Sequence, residues 1–288
     1  MADSVPEPPF RRIGPAEPAS PVVISVPHAG RSYSEGLLKA ARLSRARLET
    51  LEDRLVDRLV WRAVADGAVA IVADTPRAEI DLNREEGEID PSVIAPPPQA
   101  ADLIQSPRSR GGLGLVPSRI AGAGAIWRQR IPAAELERRL ATVYRPFHDA
   151  LASAMDSACE RFGAAILLDC HSMPPRGEAG AEPRIVLGDR HGTSIAGHLA
   201  EAAEQAVRKA GFAVVRNAPY AGGHITARHG RPLENRHALQ IEIDRSFYLD
   251  ESLREPGPGF DKVARLIAAI VRALAVSARN PPLPIAAE

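Results

Sequence analysis

The sequence AAILLDCHSMP at residues 164–174 decides the prediction of the fold. Residues 164–168 are a short and continuous apolar run, as expected for a strand that is covered on both faces. Pro174 and the proline after it end the strand-like stretch. In open α/β sheets, ligands bind just beyond the carboxyl ends of such strands. We therefore predict a buried strand that ends in a polar loop, where Asp169 and His171 are placed for chemistry.

Strand-like and helix-like segments alternate along the rest of the chain, which predicts one α/β domain over residues 21–278. The other strands are predicted at 22–26, 68–72, 183–188, 212–215 and 238–243, and the helices at 44–66, 132–162 with a kink or split at Pro146, 192–210 and 258–278. Residues 1–20 are predicted to be a flexible arm and 279–288 a tail. Residues 85–131 have little periodicity and are interpreted as a loop-rich insert that walls or covers a pocket near the site.

The composition excludes several classes of protein. The chain has 36 basic and 36 acidic side chains, and polyanion binding needs a concentrated basic surface instead. Cys159 and Cys170 do not make a disulfide framework, which indicates a reducing, cytoplasmic setting. Residues 1–12 lack the apolar core of a signal peptide, and no run approaches the ~18 apolar residues of a membrane span.

Two histidines follow two of the predicted strands and could bind a metal. His28 comes directly after the strand at 22–26, and His171 has the same kind of place after residues 164–168. Each could be a structural loop histidine, but two at strand ends favour a shared site. Neutral imidazole is a preferred zinc ligand, and catalytic zinc keeps three protein ligands and one open position. The third ligand should be a carboxylate or another histidine.

The helix predicted at 44–66 offers Asp53 and Asp57, which would lie on one face because they are four residues apart. Either could be the carboxylate ligand, and Asp53 is favoured. One of the pair could instead orient a ligating histidine. The competing interpretation is a solvated, salt-bridged face, because Arg54 and Arg58 lie among them.

Three further segments carry groups that could bind substrate or transfer protons. Asn83 and Arg84 follow the strand at 68–72 and could clamp an anion, although a structural arginine–aspartate pair is the alternative. Glu242 lies between two isoleucines, and near a zinc ion it would be a good general base. The alternative there is an edge strand that exposes Glu242. The glycine-rich segment 219–232 adds the candidate substrate contacts Gly222, Gly223, Thr226 and Arg228.

Taken together, these segments resemble the N-formylglutamate amidohydrolase family. The resemblance covers roughly residues 20–255 and rests on the ordered set Ser25-Val26-Pro27-His28-Ala29-Gly30, the helix with Asp53 and Asp57, Asp81-Leu82-Asn83-Arg84, Asp169-Cys170-His171-Ser172, Gly222-Gly223 and Ala238-Leu239-Gln240-Ile241-Glu242-Ile243. The family is similar to the zinc carboxypeptidase and aspartoacylase group. The resemblance implies a mixed, mainly parallel central sheet flanked by helices, with one Zn²⁺ per chain or another divalent transition metal in its place.

The resemblance also implies roles for individual residues. His28 and His171 would bind zinc, Glu242 would be the general base, and Asn83-Arg84 would hold the substrate carboxylate. The wider group has a glutamate ligand three residues after the first histidine, but Arg31 occupies that position here. The carboxylate must therefore come from elsewhere, and we take Asp53, with Asp57 as the alternative ligand or orienting group. Asp169 is predicted to orient His171, and Arg77 or Arg228 to stabilise an oxyanion.

The implied activity is the hydrolysis of an N-formyl or other N-acyl amino acid. The leading prediction is N-formyl-L-glutamate to L-glutamate and formate, the last step of one histidine-degradation route. Two alternatives stay open: a zinc hydrolase of another N-acyl amino acid, peptide or cell-wall fragment, and a non-catalytic domain that binds a small molecule. The expected partner is a small anionic substrate rather than a nucleic acid or a membrane, and the chain is expected to be a monomer or small homo-oligomer.

Overall fold

The structure of the protein, a computed structural model, describes residues 8–175 and 184–279. Its strands are β1 (Phe10–Ile13), β2 (Val22–Val26), β3 (Val69–Ala73), β4 (Ile94–Ala95), β5 (Arg119–Ile120), β6 (Gly124–Ala125), β7 (Ile131–Pro132), β8 (Ala165–Met173), β9 (Ile185–Gly188), β10 (Val214–Arg216) and β11 (Arg236–Asp244). Its helices are α1 (Glu35–Ala40), α2 (Arg45–Leu48), α3 (Val56–Leu59), α4 (Trp61–Ala65), α5 (Pro107–Arg110), α6 (Ala133–Arg139), α7 (Arg145–Phe162), α8 (Gly197–Lys209), α9 (His224–His229) and α10 (Phe260–Arg279). None of the helices in these two ranges combines the length and the apolar character that crossing a membrane requires.

The strands form a mixed, mainly parallel sheet, which confirms the predicted fold class. Seven strands of the described residues lie in the order β1-β3-β2-β8-β11-β9-β10. The central strand β8 pairs in parallel with β2 on one edge and with β11 on the other. β9 then pairs antiparallel with β11 and parallel with β10. Side chains on β8 and β11 therefore lie in the middle of the sheet, away from its edges.

The chain divides into two compact units. Of the described residues, unit 1 comprises those within Met1–Arg12, Pro27–Glu52 and Ile71–Ala150, and unit 2 those within Ile13–Val26, Asp53–Ala70 and Leu151–Glu288. β1 and β3 each begin in one unit and end in the other. The single domain predicted over residues 21–278 stays a prediction.

Unit 2 is built on strands that are buried along their whole length. Every residue of β2 and of β8 is buried, which is why β2 and the first four residues of β8 have no alternating pattern of apolar and polar residues. The long helix α10 packs against α8 and α4. Its buried side chains recur at helical spacing and form one apolar stripe: Val263, Leu266, Ile267, Ile270, Val271 and Leu274. Burial of this stripe holds α10 in place.

Unit 1 contains the insert at 85–131, which consists of short elements rather than one irregular loop. β4 pairs in parallel with β7, and β5 pairs antiparallel with β6. The start of α7 is fixed within this unit, because the buried Tyr144 just before it donates its hydroxyl proton to the Arg84 carbonyl at 2.7 Å. Phe147 also contacts Phe10 edge to face, with ring centroids 5.9 Å apart. The role of the insert in covering a pocket stays a prediction.

The prediction that a polar loop begins at Asp169 is wrong, because β8 continues to Met173. Its partner β11 is equally long, and the two strands stay in register up to the pair Asp244↔Met173. The ladder therefore satisfies the backbone groups of the polar residues as well as those of the apolar run. Asp169 and His171 are consequently strand residues with fixed directions.

The continuous helix predicted over 44–66 is also wrong. The chain forms α2, a 3-10 turn at Glu49–Leu51, and then the separate helices α3 and α4. Glu52 is extended, with ψ of 145°, and Leu55 has a left-handed φ of 61°, so helical backbone cannot continue between them. Asp53 lies in this break, and it therefore does not share a helix face with Asp57.

The remaining differences concern where the predicted helices, strands and loops begin and end. A π-helical turn at Leu140–Tyr144 interrupts the helix predicted at 132–162, just before Pro146. The helix predicted from residue 192 begins at Gly197, and α9 occupies part of the predicted loop 219–232. Pro183 of the predicted strand 183–188 lies outside the described residues, as does the tail beyond Arg279. Residues 8–20 of the predicted arm include β1.

Candidate active site

In unit 2, His171 is held between two buried carboxylates. Asp169 and His171 are two residues apart on β8, so their side chains point to the same face of the sheet. His171 Nε2 lies 2.8 Å from Asp169 Oδ2, and His171 Nδ1 lies 2.9 Å from Asp53 Oδ2. Burial lowers the pKa of His171, but the two carboxylates outweigh burial and hold that pKa well above its usual value.

The two oxygens of Asp53 have different partners. Oδ1 accepts hydrogen bonds from Arg245 Nη2 at 3.2 Å and from the Ser172 hydroxyl at 3.3 Å. Arg245 Nε also donates to the Ser172 hydroxyl at 3.1 Å, which closes this small network. Oδ2 is thereby directed at His171. Asp57 lies in the first turn of α3 and is only half-buried.

The Asp53–His171 pair fits a metal ion. Two ligand atoms that are each about 2.0–2.1 Å from a tetrahedral zinc ion lie about 3.3 Å from one another. The two facing atoms here are in hydrogen-bond contact at 2.9 Å, so the two side chains need to separate by only a few tenths of an ångström to bind one ion together. Asp169 on the other ring nitrogen is the carboxylate partner that metal-binding histidines usually have. Asp53 and His171 of unit 2 and His28 of unit 1 are buried donors of the kind that could hold a metal ion.

Glu242 lies beside His171 on the neighbouring strand. The register pairs Glu242 with His171 and Gln240 with Asp169, so alternation places these four side chains on one face of the sheet. Glu242 is 8% exposed, and its Oε1 accepts a hydrogen bond from Gln240 Nε2 at 2.9 Å. The alternative interpretation of an exposed edge strand is wrong, because β11 lies between β8 and β9.

In unit 1, His28 is fixed by Asp81. His28 Nε2 lies 2.7 Å from Asp81 Oδ1, and both side chains are buried. The same carboxylate accepts hydrogen bonds from Arg77 Nε and from the Asn83 N–H, both at 2.9 Å. Burial raises the pKa of Asp81, but Arg77, Arg84 and His28 hold it well below its usual value. Because Nε2 is committed to Asp81, a metal would bind His28 through Nδ1.

The turn that carries His28 depends on a glycine. A Cβ on Gly30 would lie 2.0 Å from the carbonyl oxygen of Thr75, so no other residue fits without moving the backbone. The Ser32 N–H also donates to the Asp74 carbonyl at 3.0 Å. These two contacts hold the chain that follows β2 and so fix the place of His28.

Arg84 is buried among hydrogen-bond acceptors of unit 1. It donates from Nε to the Leu113 carbonyl at 2.9 Å and from Nη1 to the Asn83 carbonyl at 2.6 Å. Its Nη2 lies 3.8 Å from Asp81 Oδ2, and burial lowers the pKa of Arg84 while Asp81 opposes that effect. The contacts agree with the alternative interpretation of a structural arginine–aspartate pair. A role for Asn83 and Arg84 in substrate binding stays a prediction.

The predicted substrate contacts of the glycine-rich segment lie at the start of α9 and on it. Gly222 has a left-handed φ of 115°, and the Gly223 N–H donates to Gln240 Oε1 at 2.8 Å. Thr226 is buried, and its hydroxyl donates to the Gly223 carbonyl at 2.8 Å. Arg228 is exposed. Their contacts with substrate stay predictions.

Comparison with known proteins identifies the family. A model of the N-formylglutamate amidohydrolase family matches residues 20–249. The chain belongs to this family. The N-formylglutamate deformylase of Pseudomonas putida is 30% identical over 239 residues, which are 81% of this chain and 83% of that protein. The enzyme of the same name from Pseudomonas aeruginosa is 32% identical over 237 residues, which are 80% of this chain and 83% of that protein.

Solved structures agree with this assignment. The crystal structure of N-formylglutamate amidohydrolase from Ralstonia eutropha JMP134 has a TM-score of 0.87 and 34% identity, covering 95% of this chain and 99% of that one. A protein from Agrobacterium tumefaciens shares the fold alone, with a TM-score of 0.64 and 19% identity over 93% of this chain and 96% of that one. The predicted family is confirmed, and so is the prediction that the chain is an amidohydrolase, an enzyme that cleaves amide bonds with water.

Three residues of this amidohydrolase that contact its central side chains were not predicted. Gln240 could have been found, because alternation on a strand puts it on the same face as Glu242. Ser172 lies in the motif Asp169-Cys170-His171-Ser172, but the sequence predicted no role for its side chain. Arg245 carries no signal, because 192 residues separate it from Asp53 and no spacing rule connects them. Only the folded chain shows that Arg245 and Ser172 hold the Asp53 carboxylate.

Asp81→Asn is expected to destabilise the amidohydrolase by about 3–5 kcal/mol, because it leaves the buried Arg84 without its counter-charge. Unfolding in guanidinium chloride measures this free energy. Asp74→Asn is the matched control, since it breaks the pair with Arg11, whose side chain is 48% exposed. The control should cost no more than about 1 kcal/mol. Equal losses in the two variants would show that Asp81 is not the structural centre of this cluster.

Proposed function

We propose that the protein removes the formyl group from N-formyl-L-glutamate, giving L-glutamate and formate. Two relatives named for this activity match about four fifths of the chain. The observation that carries the proposal is the buried His171 between Asp53 and Asp169, with Glu242 on the adjacent strand. This arrangement combines a metal-binding pair with a group that can transfer protons, which is what amide hydrolysis needs.

The proposed metal is one Zn²⁺ per chain, held by His28, Asp53 and His171. Two imidazoles and one carboxylate are a donor set that suits zinc, and another divalent transition metal could take its place. When bound, the ion would polarise the amide carbonyl and lower the pKa of a coordinated water. Asp81 and Asp169 hold the remaining nitrogens of the two histidines, which fixes the direction of both rings.

The other groups of the proposal act on protons and on substrate. Glu242 accepts a proton from the attacking water and then donates it to the leaving nitrogen as the C–N bond breaks. Asn83 and Arg84 are assigned to the substrate carboxylate. Arg77 or Arg228 is assigned to the developing oxyanion, and Gly222, Gly223 and Thr226 to contacts along the substrate.

The cellular role follows from the products. Release of glutamate and formate from N-formylglutamate is proposed to complete a route of histidine degradation in the cytoplasm. The only reactants are a small anionic substrate and water, so the proposal is compatible with a monomer or a small homo-oligomer. Neither a nucleic acid nor a membrane has a part in it.

A panel of substrates tests this proposal with zinc-loaded protein. Formate release from N-formyl-L-glutamate is compared with that from N-formyl-L-norvaline, which has a side chain of similar length without the carboxylate. The expected loss in kcat/KM is about 100-fold, because a charge-assisted hydrogen bond is worth up to ~3 kcal/mol. Acetate release from N-acetyl-L-glutamate tests the acyl group. If the protein preferred another acyl group or amino acid, N-formyl-L-glutamate would be the wrong substrate. Zinc binding without any hydrolysis would favour a non-catalytic binding domain.

A further inference from the structure

The carboxamide of Gln240 connects the proposed general base to the backbone before α9. Gln240 is 3% exposed. Its Nε2 donates to Glu242 Oε1 at 2.9 Å, and its Oε1 accepts from the Gly223 N–H at 2.8 Å. Both ends of the carboxamide are therefore committed, and they fix its orientation. A side chain without a polar end could replace neither bond.

The backbone segment 221–223, which binds the Gln240 carboxamide, is itself held in close contact with the sheet. Gln240 pairs with Gly188 across the antiparallel strands β11 and β9. A Cβ on Gly188 would lie 2.6 Å from the Gly222 nitrogen and 2.7 Å from the Ala221 carbonyl carbon, so this glycine lets the chain at 221–223 lie directly on the sheet. The Arg190 N–H donates to the Ala221 carbonyl at 2.7 Å and holds the chain there. The Gly223 N–H thus has a fixed position, and Gln240 transmits that position to Glu242.

We propose that Gln240 is a positioning residue that holds Glu242 Oε1, so that proton transfer takes place at Oε2. The proposal rests on the role of Glu242 given above. Oε2 takes the proton of the attacking water as the new C–O bond forms, and it returns that proton to the nitrogen as the C–N bond breaks. A carboxylate held at one oxygen presents the other in a constant direction, and a small misplacement of a catalytic group is costly. Through its two hydrogen bonds, Gln240 also connects the backbone of Gly223 to Glu242.

Gln240→Met tests this proposal, because methionine has a similar length and neither donates nor accepts strongly. We expect kcat for N-formyl-L-glutamate to fall about 30-fold, with KM within about twofold and zinc content unchanged. Gln240→Leu repeats the test if the first variant does not fold. Ile241→Val is the matched control. It removes a methyl group from the buried neighbouring position, whose side chain points to the opposite face of the sheet, so kcat should stay unchanged. A normal kcat in a folded, zinc-loaded Gln240→Met or Gln240→Leu protein would overturn the proposal.

A double variant separates positioning from a structural role. If Gln240 acts through Glu242, Gln240→Met should not lower kcat further in a Glu242→Gln background. An equal 30-fold loss in that background would overturn the proposal. These experiments also distinguish a failure of the positioning role of Gln240 from a failure of the proposed function. The proposed function fails if the zinc-loaded wild type releases no formate, and the assignment of the base fails if Glu242→Gln keeps more than about a tenth of the wild-type kcat.

Discussion

Glu242→Gln is expected to lower kcat for N-formyl-L-glutamate by about 1,000-fold, because a positioned general base and acid contributes roughly 10²–10⁴ to the rate. Glutamine keeps the size of the side chain and can still contact Gln240, but it cannot accept and return a proton. Glu242 lies in the middle of the sheet beside His171, so the substitution changes one charge without exposing the strand. Steady-state kinetics and zinc analysis of the same preparation measure the effect.

Glu201→Gln is the matched control for the lost charge, because Glu201 is exposed on α8. It should leave kcat, KM and zinc content unchanged. The proposed base would be wrong if Glu242→Gln retained more than about a tenth of the wild-type kcat, since a positioned proton-transfer group typically contributes about 100-fold or more. A loss of zinc together with activity would instead make Glu242 part of the metal site.

Strands were the most predictable part of the fold. The prediction for β2 matches the observed Val22–Val26, and the runs for β8 and β11 gave their apolar cores. A continuous β-branched run is compatible with few structures other than a buried strand, so the local signal and the tertiary environment agree. The polar ends of β8 and β11 were harder, because pairing with a long partner keeps polar residues in strand conformation.

The segment with Asp53 shows why part of the site could not be predicted. Leu48, Leu51, Leu55 and Leu59 have helical spacing, and all four are buried as a helix would require. Their burial is nevertheless achieved by short helices with a break between them. The break depends on the left-handed backbone of Leu55, and leucine gives no sequence signal for that conformation. Periodicity therefore predicted the burial correctly and the continuity wrongly.

The break also determines how Asp53 is oriented in the proposed metal site. The backbone of a continuous helix would set the direction of the Asp53 side chain. In the observed break, hydrogen bonds from Arg245 and Ser172 to Oδ1 orient the carboxylate instead. Oδ2 alone then faces His171. These hydrogen bonds fix the carboxylate before any metal binds, which suits the proposed role of Asp53 as a ligand through one oxygen.

Asp53→Ala is expected to weaken zinc binding by roughly 100- to 1,000-fold. Structural zinc sites with four ligands bind with about 10–16 kcal/mol, so one ligand is worth about 2.5–4 kcal/mol, which is roughly 100- to 1,000-fold in affinity. Competition with a chromophoric chelator measures the affinity without reference to activity. His171→Ala should behave in the same way, because it removes the other member of the 2.9 Å pair.

Asp57→Ala is the decisive comparison, because Asp57 was the alternative carboxylate and lies half-buried in the first turn of α3. It removes the same group from a position four residues away, so charge and composition change identically in the two variants. If Asp53 is the ligand, Asp57→Ala retains zinc affinity within about a factor of three. Tight zinc binding in Asp53→Ala and weak binding in Asp57→Ala would reverse the assignment. It would mean that the network of Arg245 and Ser172 orients a carboxylate whose task is to hold the His171 ring rather than the metal.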